Sequence, residues 1–485
     1  MDNIISLLDK FSNVFAHLGE HDATQTDYIK NEIYQFLLSP KRNDMMTGER
    51  YYVGNHDILQ RKRQVIGENG ELQEVDNLPN NRVINNLYAK MVDQKNNYLL
   101  GRPISIKSDN DAYTQVLNDL LGPDFQRTLK AIGEDALNCG IGWTLIHYDE
   151  NSNLIIKRIR PYELIPGWRD AEHTILDFAV RIYPVIKCEG VQETVSYRVE
   201  VYDKTGISYF EYEGELQPIE PYFEPYFYYD GKGAAWEKIP LIAWKYNNKE
   251  TPLIKKVKTL QDGINLMLSN YENNMEEDQG STIMVLHNYD GENLGEFRQN
   301  LMTYRAVKVR TTSETKGGVD TLRVDVNAEN YNLILSLLKQ ALIENAMGYD
   351  AKDDRLSGNP NQMNIQSMYS DIDLDANSME TEFQAAFDQL LFFIDAHLAN
   401  TGRGDFEDVD ADIIFNRDVL INETALIDNL RNSVGLISNE TLVAKHPYVN
   451  DPQAELARMK AEQAESIESL MDYQGLGGGS RGTDE

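Results

Sequence analysis

The sequence predicts an α+β protein, mainly helical, organised around one long central helix. Three observations carry that expectation. First, Asn361–Thr401 contains no Gly and no Pro. Within it Met368, Ile372, Met379, Phe383, Phe387, Leu390, Ile394 and Leu398 recur mostly three, four or seven apart, the spacing of one helical face. Second, the apolar period changes to two from Gly142 onward, the mark of strands. Third, two more helical stripes, one from Leu253 to Met275 and one from Ile334 to Leu342, flank a short strand-bearing segment at 281–326. A single helix over Asn364–Asn400 is about 37 residues long. At ~1.5 Å per residue it spans roughly 55 Å. Strict heptads do not persist, so a spine through a packed body is expected rather than a coiled coil. The alternative is two shorter helices with a break near Asp371–Asp375.

Composition bounds the class. The chain has 485 residues with 41% hydrophobic and 9% aromatic content, enough for several domains and a sizeable core. Cys139 and Cys188 give neither a disulfide framework nor a metal spacing, which points to a reducing compartment. The start, MDNIISLLDKF, lacks the charge and apolar run of a signal peptide. No window approaches the ~18 apolar residues of a membrane span. A soluble, cytoplasmic protein without membrane contact is expected. Net charge is −32. Such a chain does not hold nucleic acid by counterion release. It can surround nucleic acid without adhering, because an acidic wall repels phosphate. Solubility alone also explains the charge.

Taken in order, residues 1–46 read as helical, with Ile4, Leu7, Leu8, Phe11, Val14, Phe15 and Leu18 on one face and Tyr28, Ile33, Phe36 and Leu37 on a second helix. Tyr51–Leu59 reads as extended. Asn81–Leu100 reads as a helix stopped by Gly101 and Pro103. Tyr113–Asn138 is helical with a break at Gly122-Pro123. Strands follow at Trp143–Tyr148, Leu154–Ile159, Ile175–Ile186, Val195–Tyr202, Ile207–Tyr212 and Ile239–Lys245, with Glu213–Lys238 read as a loop. Thr251-Pro252 has the chemistry of a helix start. The helix after it places Lys255, Lys256 and Lys258 near its start and Glu276, Glu277 and Asp278 at its end, against the helix dipole.

Residues 281–326 read as β-α-β-β: a strand at Thr282–His287, a helix at Asn293–Tyr304, and strands at Ala306–Thr311 and Val319–Val326. An insertion whose ends meet needs its flanking helices antiparallel. Glu344, Asp350, Asp353 and Asp354 would then lie near the three lysines. Ala351–Met363 is a polar loop with Ser357-Gly-Asn-Pro360 turn chemistry and Lys352 and Arg355 at its tip. After the long helix come a strand at Ala411–Phe415 and three helices started by Asn422, Ser438 and Asp451-Pro452. A Gly-rich tail, expected to be disordered, closes the chain from Gly475.

Catalytic signatures are missing. Gly231-Lys-Gly-Ala lacks the spacing of a phosphate loop, and no GxGxxG, HExxH, GxSxG or CxxC occurs. His56 and His147 have no evident partner. The acids from Asp405 to Asp412 could hold Mg²⁺ or Ca²⁺, but they lack the Gly and Glu positions of a calcium loop. A solvated acidic loop is the simpler reading. No enzyme activity, cofactor or metal is expected.

Several long stretches carry a resemblance: YYVGNHDIL (51–59), NNRVINNLYAKMVDQKNNYLLGRP (80–103), WEKIPLIAWKYN (236–247), NIQSMYSDIDLDANSMETEFQAAF (364–387) and SNETLVAKHPYVNDPQAELARM (438–459). With the element order, they resemble the portal proteins of tailed bacteriophages, specifically the SPP1-type portal family. The likeness covers nearly the whole chain apart from the tail.

The resemblance implies a wing (1–250, with a return strand in 401–421), stem helices (251–280 and 327–349), a clip (281–326), a tunnel loop (350–363), the long spine helix (364–400), a crown (422–474) and a disordered tail (475–485). It implies Lys352, Asp353, Asp354, Arg355, Asn359, Asn361 and Gln362 as residues facing DNA, through charge or through polar contact. It also implies a homo-oligomeric ring, a dodecamer, at one capsid vertex of the virion, assembled in the host cytoplasm. Double-stranded DNA passes through such a ring. Its implied partners are the terminase large subunit, a head-completion or adaptor protein, and the major capsid and scaffold proteins. The competing readings are another acidic ring-forming or adaptor virion protein without DNA passage, and a metal-dependent enzyme using Asp405–Asp412.

Overall fold

In the computed structural model the long helix runs unbroken over Gln362–Asn400, with no interruption at Asp371–Asp375. The structure describes residues 23–462 except 67–69, 76–77, 190–191, 230, 279–282, 289–292, 294, 296–302, 304–308, 313–315, 323–327, 351–361, 418–422, 447, 450–451 and 453–454. The expected stripe from Ile4 to Leu18 and the tail at 475–485 lie outside the described residues. The chain groups into two units, Met1–Gly348 with Leu374–Arg417, and Tyr349–Asp373 with Asp418–Glu485.

The first unit opens with α1 (Ala23–Leu37) and α2 (Pro40–Tyr52). The second helix expected through Tyr28, Ile33, Phe36 and Leu37 is α1, and a separate helix, α2, follows it before residue 46. Ser39 and Pro40 explain the break, since the Ser39 hydroxyl accepts from the Arg42 N–H and Pro40 takes the first helical position. Tyr51–Leu59 is not extended: it is the end of α2 followed by a 3-10 turn at Asp57–Gln60. The hairpin β1 (Gln64–Ile66) and β2 (Leu72–Glu74) leads to α3 (Leu87–Leu100). This helix starts six residues later than expected, where the Asn86 side chain caps it. Then come β3 (Ser105–Ser108), α4 (Asp111–Leu120) and α5 (Pro123–Cys139), the last two divided at Gly122-Pro123 as expected.

Among the described residues two antiparallel sheets have more than two strands. One has the order β13-β4-β5, from β4 (Ile141–Tyr148), β5 (Leu154–Ile159) and β13 (Leu241–Lys245). The other has the order β10-β9-β8-β7-β6, from β6 (Leu164–Trp168), β7 (Leu176–Glu189), β8 (Gln192–Tyr202), β9 (Ile207–Tyr212) and β10 (Leu216–Glu224). Strand β6 and most of Glu213–Lys238 correct the sequence reading, because that supposed loop holds β10 and the hairpin β11 (Phe227–Tyr229) and β12 (Lys232–Ala234). Pro218 and Pro221 fit β10 because it lies at the sheet edge and its register shifts between Pro218 and Phe223.

Helix α6 (Ile254–Asp278) follows, then β14 (Ile283–His287), β15 (Gly318–Leu322) and α7 (Ala328–Asn345). Strands β14 and β15 pair antiparallel. Most of the expected helix at Asn293–Tyr304 and most of the strand at Ala306–Thr311 lie outside the described residues. The long helix is α8. From Leu374 onward it forms part of the core of the first unit. Trp244 packs edge-on against Phe383 at 5.2 Å and Phe387 at 5.0 Å, and Phe393 meets Trp236 at 5.5 Å. Each such fully buried side chain contributes about 1.5–3 kcal/mol. β16 (Ala411–Ile414) pairs antiparallel with β3, so the chain after α8 returns to the N-terminal part of the unit.

The second unit contains α9 (Glu423–Asn432) and α10 (Asn439–Ala444). Gly435, at φ +84°, separates them, and the Ser438 hydroxyl caps α10 by accepting from Thr441 N–H. Residues 455–462 are helical. The Tyr349 and Tyr369 rings meet at a tilt of 39°, 4.6 Å apart, within this unit.

Candidate functional site: a helix pair and its polar joints

Helices α6 and α7 pack side by side and antiparallel. Asn274 donates to the Tyr331 hydroxyl at 2.9 Å, and a Cβ on Gly263 would lie 3.7 Å from Leu338. Pairing 274 with 331 and 263 with 338 fixes opposite chain directions. The stripe on α7 is only partly buried in one copy: Leu342 is fully buried, but Leu333 is 60% exposed and Leu337 57%.

The three lysines at the start of α6 are all paired, though not as expected. Lys255 meets Asp44 at 3.1 Å, Lys256 meets Asp375 at 3.7 Å, and Lys258 holds Asp57 at 2.6 Å and Asp262 at 2.7 Å. Glu344 instead accepts from Gln340. The carboxylates that hold the lysines come from α2, the turn after it, α6 itself and α8, and the expected neighbours Asp353 and Asp354 lie outside the described residues. Burial works to lower the Lys258 pKa, but the hydrogen bonds to Asp262 and Asp57 outweigh it and raise the pKa. Burial likewise works to raise Asp57, while Lys258 and Arg50 pull it down to about 2. At the far end Glu276 is exposed, and the side chains of Glu277 and Asp278 lie outside the described residues.

Asp375 of α8 is a buried joint. It accepts from Lys95 Nζ at 2.7 Å and from the Tyr246 hydroxyl at 2.7 and 2.9 Å, and Lys95 also donates to the Met347 carbonyl at 3.1 Å. Lys95 and Asp375 expose only 3% and 9% of their side chains. A charge pair so far from water persists because each partner satisfies the other and extra hydrogen bonds fill the remaining positions.

A second joint is a row of polar side chains on α6. Gln261, Asn265, Ser269 and Asn273 are each fully buried. They accept from the backbone N–H groups of Tyr88, Asn85, Val83 and Asn81 at 3.0, 3.0, 2.9 and 2.7 Å. Geometry explains the match. Four residues of helix rise about 6 Å, and two residues of extended chain advance roughly 6.6 Å. A helix with a polar residue every fourth position thus serves alternate donors of the extended chain at Asn81, Val83 and Asn85, and Gln261 takes the Tyr88 N–H in the first turn of α3. Asn265 also donates to His56 Nδ1, and His56 Nε2 donates to the Tyr51 carbonyl; burial lowers the pKa of that imidazole, outweighing the Tyr51 hydrogen bond, which works to raise it.

The profile described as "Phage portal protein, SPP1 Gp6-like" matches residues 39–469. The chain belongs to this phage portal family. The portal protein of Bacillus phage SPP1 is 29% identical over 442 residues, covering 89% of this chain and 86% of that one. The portal protein of Clostridium phage phiCD119 is 26% identical over 456 residues, covering 89% and 96%. The function is that of a phage portal, and a role in DNA packaging follows from the family.

Within that family setting, the DNA-facing candidates Lys352, Asp353, Asp354, Arg355, Asn359 and Asn361 lie outside the described residues. Gln362 is the first residue of α8, its side chain also outside. Among the described residues no group of three or more His, Cys, Asp or Glu could hold a metal ion, Asp405–Asp412 included. No described helix is long and apolar enough to cross a membrane. The sequence reading missed the Lys95–Asp375 joint and the polar row on α6. The every-fourth-residue spacing of Gln261, Asn265, Ser269 and Asn273 was the available signal for the second.

Proposed function

We propose that this portal chain builds a dodecameric ring at one capsid vertex, with α6 and α7 as the stem around a channel for double-stranded DNA. In this reading residues 281–326 form the clip, 350–363 the tunnel loop, 422–474 the crown, and 1–250 with 401–421 the wing. The observation that carries it is the antiparallel α6–α7 pair with Leu333 and Leu337 of α7 left exposed. An apolar stripe on a packed helix calls for a partner, and a neighbouring copy in a closed heterologous ring supplies one. The net charge of −32 suits a wall past which DNA slides without adhering. Lys255, Lys256 and Lys258 are tied to carboxylates of their own chain, which leaves loop 350–363, with Lys352 and Arg355, as the segment that meets DNA. The terminase large subunit and a head-completion or adaptor protein dock on the clip. Major capsid and scaffold proteins surround the wing during assembly in the host cytoplasm. No cofactor or catalysis is involved.

Replacing residues 351–361 by a short Gly-Ser linker tests this reading. Rings should form at normal yield while packaged, nuclease-protected DNA is lost. Normal packaging by such rings would contradict it.

A further inference from the structure

In the five-stranded sheet, β7 and β8 pair in unbroken register from Ala179–Tyr202 to Glu189–Gln192. Side chains alternate between the two faces of a strand, so every second residue shares a face. One face of this pair is polar and satisfied by its own members. The Tyr183 hydroxyl donates to Glu200 at 2.6 Å, Arg181 reaches Glu200 at 3.4 Å, and Lys187 pairs with Glu211 of β9. The other face is apolar along its length. It sets Val180, Ile182, Pro184 and Ile186 of β7 opposite Val201, Val199, Tyr197 and Val195 of β8.

Cover on the apolar face stops half-way. Ile29 and Ile33 of α1 share a buried cluster with Val180, Ile182, Val199 and Val201, joined by Phe210 of β9 and Leu216 of β10. Past that row, Val199 at 0% exposure gives way to Tyr197 at 45%, Val195 at 60% and Ile186 at 62%, and Pro184 is exposed with them. The uncovered stretch runs about 13 Å along the strands. One exposed valine on a surface is ordinary, but four apolar residues in register that continue a core face form a patch awaiting cover. Lys30 of α1 pairs with Glu215, beside Leu216, which stands opposite Tyr212 and, one strand further, Tyr197. Helix α1 thus reaches, through Lys30, the row where cover ends.

The chain immediately before α1 is residues 1–22, which group with the same unit. Their sequence carries Ile4, Leu7, Leu8, Phe11, Val14, Phe15 and Leu18 at helical spacing. A stripe of that kind needs an apolar surface to cover. A helix from Ile4 to Leu18 would be about 22 Å long, enough to span the uncovered stretch. The link 19–22, at ~3.5 Å per extended residue, allows it to lie beside α1. A segment on so short a tether is present at an effective concentration on the order of millimolar, above that of another copy free in solution. We propose that residues 1–22 cover the open part of this face, with the stripe from Ile4 to Leu18 set against Pro184, Ile186, Val195 and Tyr197.

The test follows a thiol on the face in the full chain. In a Cys188→Ser background the remaining thiol, Cys139, is buried. Val195→Cys is compared with Thr194→Cys, its exposed neighbour on the polar face, by maleimide labelling, each rate divided by that of the same thiol in urea. The thiol at 195 should react at least about tenfold more slowly than that at 194. Phe11→Asp with Phe15→Asp should raise the rate at 195 about tenfold and leave 194 and the circular dichroism unchanged. Asp9→Asn with Glu20→Gln, both off the stripe, should change neither rate. Trypsin reads the segment from its own side, because Lys10 is the only Lys or Arg before Lys30. Cleavage after Lys10 should be about tenfold faster in the Ile186→Ser, Val195→Ser variant than in the unaltered chain. Equal normalised rates at 194 and 195 would show an open face and overturn the proposal, as would cleavage that the serine variant leaves unchanged. Slow labelling at 195 that survives Phe11→Asp with Phe15→Asp would show a different occupant, and slow labelling lost on dilution would show a second copy; either overturns it.

Discussion

Removing Asp375 should be among the most damaging single changes away from the aromatic core. Asp375→Leu takes from the Lys95 ammonium, 3% exposed, the carboxylate it donates to at 2.7 Å. Breaking a buried ion pair from one side costs about 3–5 kcal/mol. Lys95→Met is expected to cost less, because Asp375 keeps the Tyr246 hydroxyl and has Lys256 at 3.7 Å. The double substitution should be better than the sum of its parts by about 1–3 kcal/mol, since neither charge is then orphaned. Lys62–Glu74 is the control, at 2.9 Å but 62% and 52% exposed, where Lys62→Met should cost no more than about 1 kcal/mol. Urea unfolding followed by tryptophan fluorescence reads the cost, and Trp244 reports directly because it packs on Phe383 and Phe387 of the same helix. A cost for Asp375→Leu no larger than that of Lys62→Met would refute the reasoning. So would a double variant no more stable than Asp375→Leu alone.

Three further outcomes are expected. Gln261→Leu leaves the Tyr88 N–H and the Asn85 carbonyl unpaired in a buried joint and should cost about 1–3 kcal/mol per orphaned group, measured by the same unfolding curve. Glu49 is pushed up by burial first, then by Asp135 and Glu134, from 4.5 to about 7. The unfolded chain releases that proton near 4.5, so stability falls as pH rises through the window between the two values; Glu49→Gln should raise stability by on the order of 1–3 kcal/mol at about pH 8 and leave it unchanged at about pH 4, read from urea midpoints. Leu337→Glu places a charge on the exposed α7 stripe and should abolish ring formation by size-exclusion light scattering while leaving the circular dichroism of the single chain intact.

Much of the fold was legible because it follows from periodicity. The α8 stripe from Met368 to Leu398 gave one helix, and the buried faces of Phe383, Phe387 and Ile394 show why its spacing holds. The Gly122-Pro123 break and the turn at Asp203–Gly206, where Asp203 accepts from the Thr205 and Gly206 N–H groups, follow local chemistry. What was missed depends on partners distant in sequence. Residues 81–86 read as helix because nothing local reveals that their N–H groups are taken by side chains of α6, some 180 or more positions away. Pro218 and Pro221 argue for a loop unless the strand is known to be an edge. The lysines of α6 found carboxylates on α2, the turn after it and α8, an outcome that tertiary packing alone determines. The Asp405–Asp412 acids looked like a loop in solvent, and only the fold sets them against Trp236 and Phe392.

The central claim is a portal ring, and the mass of the purified assembly tests it most directly. Native mass spectrometry, with negative-stain images of the same peak, should give one species of about twelve 55.4 kDa chains around a central hole. Because closure of such rings depends on conditions, the measurement is repeated across salt and protein concentration and with scaffold protein present. A dimer or tetramer without a hole under every one of these conditions would contradict the account.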